Sequence, residues 1–191
     1  MKSTAKVFAT LLVSFVSLVG PACEGSEPAF ADADRAPTVD DVVHVMRVLP
    51  PEACLYTGKA CKPGRYDQGP DARRIAAAIV SHVDGTLTGD RAHDAALVAT
   101  FSSYESGNDA RAVGDHGKSH GMLQIKYLPQ EVAENPDRAV PNWIALARDG
   151  ACKDLPVDEK LAGLAGSCLS AKARQKVRQR AQAARDALAT P

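Results

Sequence analysis

The sequence predicts a mainly α fold, and three observations carry that prediction. Apolar residues recur at three- and four-residue spacing in several separate stretches, as they do in helices with one buried face. Alanine supplies much of the apolar content while aromatics make up only 5%, with a single Trp, a composition suited to close-packed helices rather than a β-sandwich. Thr38, Asp90 and Ser170 stand where helix caps are wanted, and Pro50, Gly107 and Gly150 where helices should stop. With 191 residues, 45% hydrophobic and 24% charged, the chain suits one globular domain with accessory segments. Its formal net charge is zero, so no overall field draws it towards nucleic acid.

Residues 1–31 read as a targeting segment outside the fold. Lys2 and Lys6 give the positive start, Val7 to Val19 an apolar core too short for a membrane span, and Ala29-Phe30-Ala31 a small-x-small cleavage pattern. Cys23 offers a second route, as the lipidated first residue of a lipoprotein, although Gly20-Pro21-Ala22 match that signal poorly; an uncleaved anchor is a third. A soluble exported monomer, periplasmic or extracellular, is the expectation. Either processing route removes Cys23 from the pairing pool and leaves Cys54, Cys61, Cys152 and Cys168, an even set in a chain bound for an oxidising compartment. Three pairings are possible. Local pairing, Cys54 with Cys61 and Cys152 with Cys168, is the simplest, because each pair brackets a short irregular stretch. A zinc site is the rival, but no CxxC spacing occurs and export argues against it, so no metal or other cofactor is expected.

Residues 32–70 form an N-terminal section. Thr38 and Asp41 fit a capping box, Val42, Val45, Met46 and Leu49 give one apolar helical face, and Pro50-Pro51 ends the helix. Glu52 to Pro70, rich in Gly, Pro and Lys, reads as a loop stapled by Cys54 and Cys61. Residues 71–191 form the main domain. Asp71 to Val83 is a helix with Ile75, Ile79, Val80 and Val83 inward and Arg73 and Arg74 outward. Asp84-Gly85 and Thr88-Gly89 break the chain, and Asp90 caps the next helix. Pro129 to Val132 starts a short helix that Asn135-Pro136 interrupts. Pro141 suits the first position of a helix carrying Trp143, Ile144 and Leu146, and Gly150 ends it. Pro156 to Leu164 is a further helix. Ser170 caps the last, in which Ala173, Val177, Ala181, Ala184 and Leu188 form the buried face. Six basic residues between Lys172 and Arg185 read as its solvated outer face, or else as a docking surface for anionic polymers.

The chemistry lies between Ala95 and Ile125. Leu97, Thr100, Phe101 and Tyr104 put one helical face into a core, and Glu105 follows at the end of that helix, with Gly107 and Asn108 as stops. A carboxylate there is rigidly held yet faces whatever the next loop encloses. Apolar neighbours such as Tyr104 and Met122 would favour its protonated form. A carboxyl group that gives a proton and later takes one is what glycosidic cleavage requires. Asn108 to Tyr127 should form a small β-hairpin or irregular wing closing on Gly121-Met122-Leu123-Gln124-Ile125, with Gln124 facing the opposite way from Leu123 and Ile125. His116 and His120 are four residues apart, but the intervening Gly117-Lys118-Ser119 makes a polar loop of them rather than a metal site.

Glu105-Ser106 followed by Gly121-Met122-Leu123-Gln124-Ile125 resembles the lysozyme-like lytic transglycosylases and goose-type lysozymes, enzymes that cut the glycan strands of peptidoglycan. In that superfamily a helix ends in Glu-Ser, and a Gly-Leu/Met-Leu/Met-Gln-Ile run lines the sugar cleft. The resemblance extends more weakly over residues 71–189: Cys152, Leu161 to Cys168 and the Arg-rich last helix follow the layout of one group. It implies a lysozyme-like helical fold, action on the MurNAc–GlcNAc β-1,4 bond, Glu105 as the single acid/base, and Ser106, Gly121, Met122, Gln124, Ile125, Tyr104 and Tyr127 about the substrate. One departure stands out. Leu164 occupies the place where the superfamily has a Tyr that reaches the acid, so Tyr104 or Tyr127 must supply that group or activity is weakened. Asp115 and Asp109, the only acids between the two motifs, are the candidates for a second carboxylate; a turn is the ordinary use of Asp115. A lysozyme-type hydrolase, a degenerate glycan-binding relative and a structural envelope protein are the alternatives to a lytic transglycosylase.

Overall fold

The computed structural model describes residues 35–57, 61–126, 128–164 and 167–191. Among these the fold is mainly α, with a small three-stranded antiparallel wing, as the composition and periodicity predict. The expected leader, residues 1–31, and Tyr127 lie outside the described residues. No helix among the described residues is long and apolar enough to cross a membrane. Both local disulfides, Cys54–Cys61 and Cys152–Cys168, are present, as an oxidising compartment allows.

Helix α1 (Val39–Val48) starts on the expected capping box: the Asp41 amide donates to Thr38 Oγ1, and the Thr38 amide to Asp41. Its face of Val42, Val45, Met46 and Leu49 is buried. The stretch after Pro50-Pro51 is less irregular than its composition predicts. It holds a one-turn helix, α2 (Glu52–Leu55), and a 3-10 turn at Tyr66–Gln68. Pro51 ahead of Glu52 has the extended backbone from which a helix can start anew. Helix α3 (Ala72–His82) buries Ile75 and Ile79 and leaves Arg73 and Arg74 outside.

Helix α4 (Arg91–Ser106) is the axis of the domain. Buried residues occupy all its sides over most of its length, and α1, α3 and the last helix pack directly on it. The wing follows: β1 (Val113–Gly114), β2 (Ser119–His120) and β3 (Ile125–Lys126), in that order, with Val113 opposite His120 and His120 opposite Ile125. Then come α5 (Gln130–Ala133), α6 (Pro136–Asp149), α7 (Val157–Lys160) and α8 (Ala171–Leu188).

Two helix boundaries differ from expectation. Asn135-Pro136 follows the end of α5, as expected, but also starts α6, because Asn135 Oδ1 accepts the Asp137 amide and Pro136 takes the first position. Pro141 therefore lies inside α6, where it lacks an N–H for the Asp137 carbonyl; Asp137 is exposed, so water can serve it. Helix α7 stops at Lys160 and tightens into a 3-10 turn at Leu161–Gly163, since Gly163 is a poor helix former.

Helix α8 begins where expected, on Ser170, whose hydroxyl accepts the Ala173 amide. Its basic residues correct the sequence reading. Arg174 and Arg178 reach Glu159, Arg185 reaches Asp158, and Arg180 is fully buried, so the run is not one solvated face. Arg180 stands seven residues after Ala173 and three after Val177, in register with the apolar stripe.

Candidate active site

The end of α4 is held from several directions. At its start the Asp90 carboxylate accepts the amides of Ala92 and His93. Asp94, fully buried, accepts from the Leu87 and Thr88 amides and the Thr88 hydroxyl, tying down the preceding loop. At its finish Gly107 takes the left-handed conformation (φ 66°) that closes a helix, and Asn108 repeats it (φ 63°). The buried Asn108 side chain makes that second turn tolerable. Its Oδ1 accepts from Ser102 Oγ at 2.6 Å, and its Nδ2 donates to the Tyr66 carbonyl at 2.9 Å and to Ser103 Oγ at 3.2 Å. Glu105 thus sits on a helix end fastened to the 3-10 turn at Tyr66–Gln68.

Glu105 lines a cleft of about 330 Å³. Leu164 and Lys176 stand with it on the helical side, and Gly114, Asp115, Ser119, Gln124 and Lys126 of the wing face them. Hollows of about 350 and 650 Å³ elsewhere along α8 are no smaller, but Glu105 and the wing line neither. Gln124 is fixed by its own amide: Nε2 donates to the carbonyls of Ala112 (3.1 Å) and Gly121 (2.8 Å). It occupies a turn, with φ 47°, rather than a strand, and in this way it faces the cleft while Leu123 and Ile125 are buried.

The surroundings of Glu105 are charged, not apolar as expected. Glu105 Oε1 accepts from Arg180 Nη1, and Lys176 Nζ lies 3.7 Å from the same oxygen. The buried Arg180 guanidinium lies over two aromatic rings of α4, 4.9 Å from the Phe101 centroid and 5.5 Å from that of Tyr104. Its Nε and Nη2 donate to Glu52 Oε1 at 2.9 and 2.6 Å. Across the cleft Asp115 pairs with Lys126 at 2.8 Å and accepts from Ser119 Oγ, and this lysine holds the Asp115 carboxyl below its usual range.

Several other sequence-predicted residues serve the framework instead of lining the cleft. The Ser106 hydroxyl donates to the Ser102 carbonyl (3.0 Å) and accepts the Asp109 amide, so local backbone satisfies it. The Asp109 carboxylate accepts the Arg111 amide at 2.8 Å in a turn and lies outside the cleft lining, which leaves Asp115 as the acid of the wing. Met122 and Ile125 are buried in the core. Gly121 closes against α5. The Tyr104 hydroxyl donates to the Pro50 carbonyl at 3.0 Å and is committed away from Glu105; burial pushes its pKa up. It does not replace the Tyr missing at Leu164. His120 Nε2 lies 3.0 Å from the Gly117 carbonyl and His116 is exposed in the β1–β2 turn. Among the described residues no group of three or more His, Cys, Asp or Glu side chains is placed to hold a metal.

Glu52, Lys176 and Arg180 were not among the expected site residues. For Arg180 a signal existed, its position on the apolar stripe of α8; for Glu52, behind two prolines in a polar stretch, none did. Comparison with family models, with curated proteins and with solved structures returns no match.

Proposed function

We propose that the chain is an exported enzyme that cuts peptidoglycan glycan strands at the MurNAc–GlcNAc β-1,4 bond, acting as a lytic transglycosylase with Glu105 as its acid/base. The observation that carries this reading is the Glu105 carboxylate, fastened on a rigid helix end and opening on a polar cleft whose far wall presents Gln124, while the other acid of the cleft, Asp115, is already paired with Lys126. In the first step Glu105 gives its proton to the glycosidic oxygen as the C1–O bond breaks. In the second its carboxylate takes the proton of the sugar 6-hydroxyl as that oxygen attacks C1 and closes a 1,6-anhydro ring. Amide-bearing Gln124 suits the N-acetyl groups of such a glycan.

Two observations favour a second reading, a glycan-binding relative that does not cut. Leu164 cannot hydrogen-bond the acid, and two cations face a carboxylate that must begin the reaction protonated. Incubation of wild type, Glu105→Gln and Asp115→Asn with purified peptidoglycan decides. Soluble 1,6-anhydro products from wild type, lowered about 10²–10⁴-fold in Glu105→Gln, are expected. Reducing ends lost on Asp115→Asn would show a two-carboxylate hydrolase instead. Binding without cleavage by wild type would establish the second reading.

A further inference from the structure

The two oxygens of Glu105 are unlike. Oε1 faces Arg180 Nη1 and Lys176, whereas Oε2 takes no hydrogen bond among the described residues, and Glu105 lines the cleft. A guanidinium has only donors, in a rigid plane, so it cannot turn an acceptor towards a protonated Oε1. The proton of a neutral Glu105 therefore belongs on Oε2. Arg180 itself has no freedom to move aside: it is wholly buried, lies over Phe101 and Tyr104, and its other edge is held by Glu52 Oε1. Glu52 is held in turn by the Tyr56 hydroxyl at 3.2 Å and faces Lys176 Nζ at 3.7 Å.

We infer that Glu52 and Arg180 are positioning residues for Glu105, a clamp that fixes Oε1 and leaves Oε2 as the atom that exchanges the proton. The inference rests on the reading of Glu105 as acid/base. It assigns the two partners opposite electrostatic roles. Arg180 sets a positive charge against Glu105 Oε1, and Glu52, on the other edge of the same guanidinium, sets a negative one. The other charged and titratable groups about the site are Lys176 on α8, Tyr56 just after α2, Tyr104 beside the guanidinium with Tyr66 against it, and Asp115 and Lys126 across the cleft. Lys176 Nζ also lies between the two glutamates, 3.7 Å from Oε1 of each, but only Arg180 hydrogen-bonds both.

The test is the titration of the Glu105 carboxyl carbon by ¹³C NMR, assigned with Glu105→Gln, in wild type, Arg180→Met and Glu52→Gln. Removing the positive charge of Arg180 should raise the titration midpoint, and removing the negative charge of Glu52 should lower it. The alkaline limb of glycan cleavage should move in the same two directions, through kcat rather than KM, and Arg180→Lys should restore part of the difference. A pair that served only the packing of α8 against α4 would not shift the midpoint with opposite signs. A midpoint that stays put, or moves the same way in both variants, overturns the inference. If Arg180→Met does not fold, Glu52→Gln decides alone by the sign of its shift. Wild-type protein that never cleaves glycan refutes the acid/base reading, while the carbon titration still upholds or overturns the clamp.

Discussion

Gly121 is where the wing is locked to the helical body, and adding one methyl group there should loosen the candidate site. Its φ of 75° is a conformation in which an alanine loses roughly 1–2 kcal/mol. A Cβ at this position would also lie 1.9 Å from the Ala133 carbonyl oxygen and 2.5 Å from its carbon. Those are backbone atoms at the end of α5, so no side chain can swing away. Relief means drawing the wing off α5, and such overpacking costs about 1–3 kcal/mol more. Two contacts would be strained with it, the Gly121 amide to the Ala112 carbonyl (2.9 Å) and the Gln124 side chain to the Gly121 carbonyl (2.8 Å). Gly121→Ala should thus lose about 2–5 kcal/mol, lowering Tm by roughly 4–20 °C for a chain of this size. Gly117→Ala is the matched control: its φ is also positive, at 86°, but its Cβ would meet nothing within 4 Å, so only the conformational loss applies. Thermal unfolding followed by circular dichroism and by Trp143 fluorescence reads both variants. Equal losses in the two, or a Gly121→Ala protein as stable as wild type, would refute the close approach.

Tyr104 should make the fold sensitive to alkali. Burial raises its pKa, so the stability it contributes is complete below the unfolded value of about 10 and falls away as the pH rises through the folded value; Tyr66 adds to this in the same direction. Denaturant unfolding measured between pH 8 and 12 should show that decline, with Tyr104→Phe flattening it at the expense of about 1 kcal/mol at neutral pH for the hydrogen bond to Pro50. The Cys152–Cys168 bridge, spanning 16 residues, should contribute roughly 3 kcal/mol. It closes the loop that brings Leu164 to the cleft, so a Cys152→Ser, Cys168→Ser protein should melt lower and bind glycan less well; non-reducing peptide mapping of the parent checks the pairing first.

What was legible in the sequence is what depends on near neighbours. Thr38, Asp90 and Ser170 cap their helices as read, because a cap is a contact between residues two or three apart. The faces of α1, α3 and α8 follow from period alone. Pro141 was misplaced because two proline signals compete, and the Asn135 side chain, not the pattern, settles which one starts the helix. The Gly121 to Ile125 run reads as a strand by alternation, yet Gly121 and Gln124 both have positive φ. The packing of Gly121 on α5 turns the chain there, and α5 lies beyond the run.

Arg180 shows what a single charge on an apolar stripe means. Counting six basic residues along α8 suggested a wetted face, but position decides burial: Ala173, Val177, Arg180 and Ala184 share one side of the helix. A guanidinium on that side cannot stay unpaired, since an uncompensated buried charge costs about 3–5 kcal/mol. The fold must therefore bring carboxylates to it from elsewhere, and they come from 128 and 75 residues away. Glu105 is a carboxylate in the last turn of a buried helix. The stripe position of Arg180 and the helix-end position of Glu105 were each readable. Their meeting was not, because it depends on α4 packing along α8, a contact that no local pattern encodes.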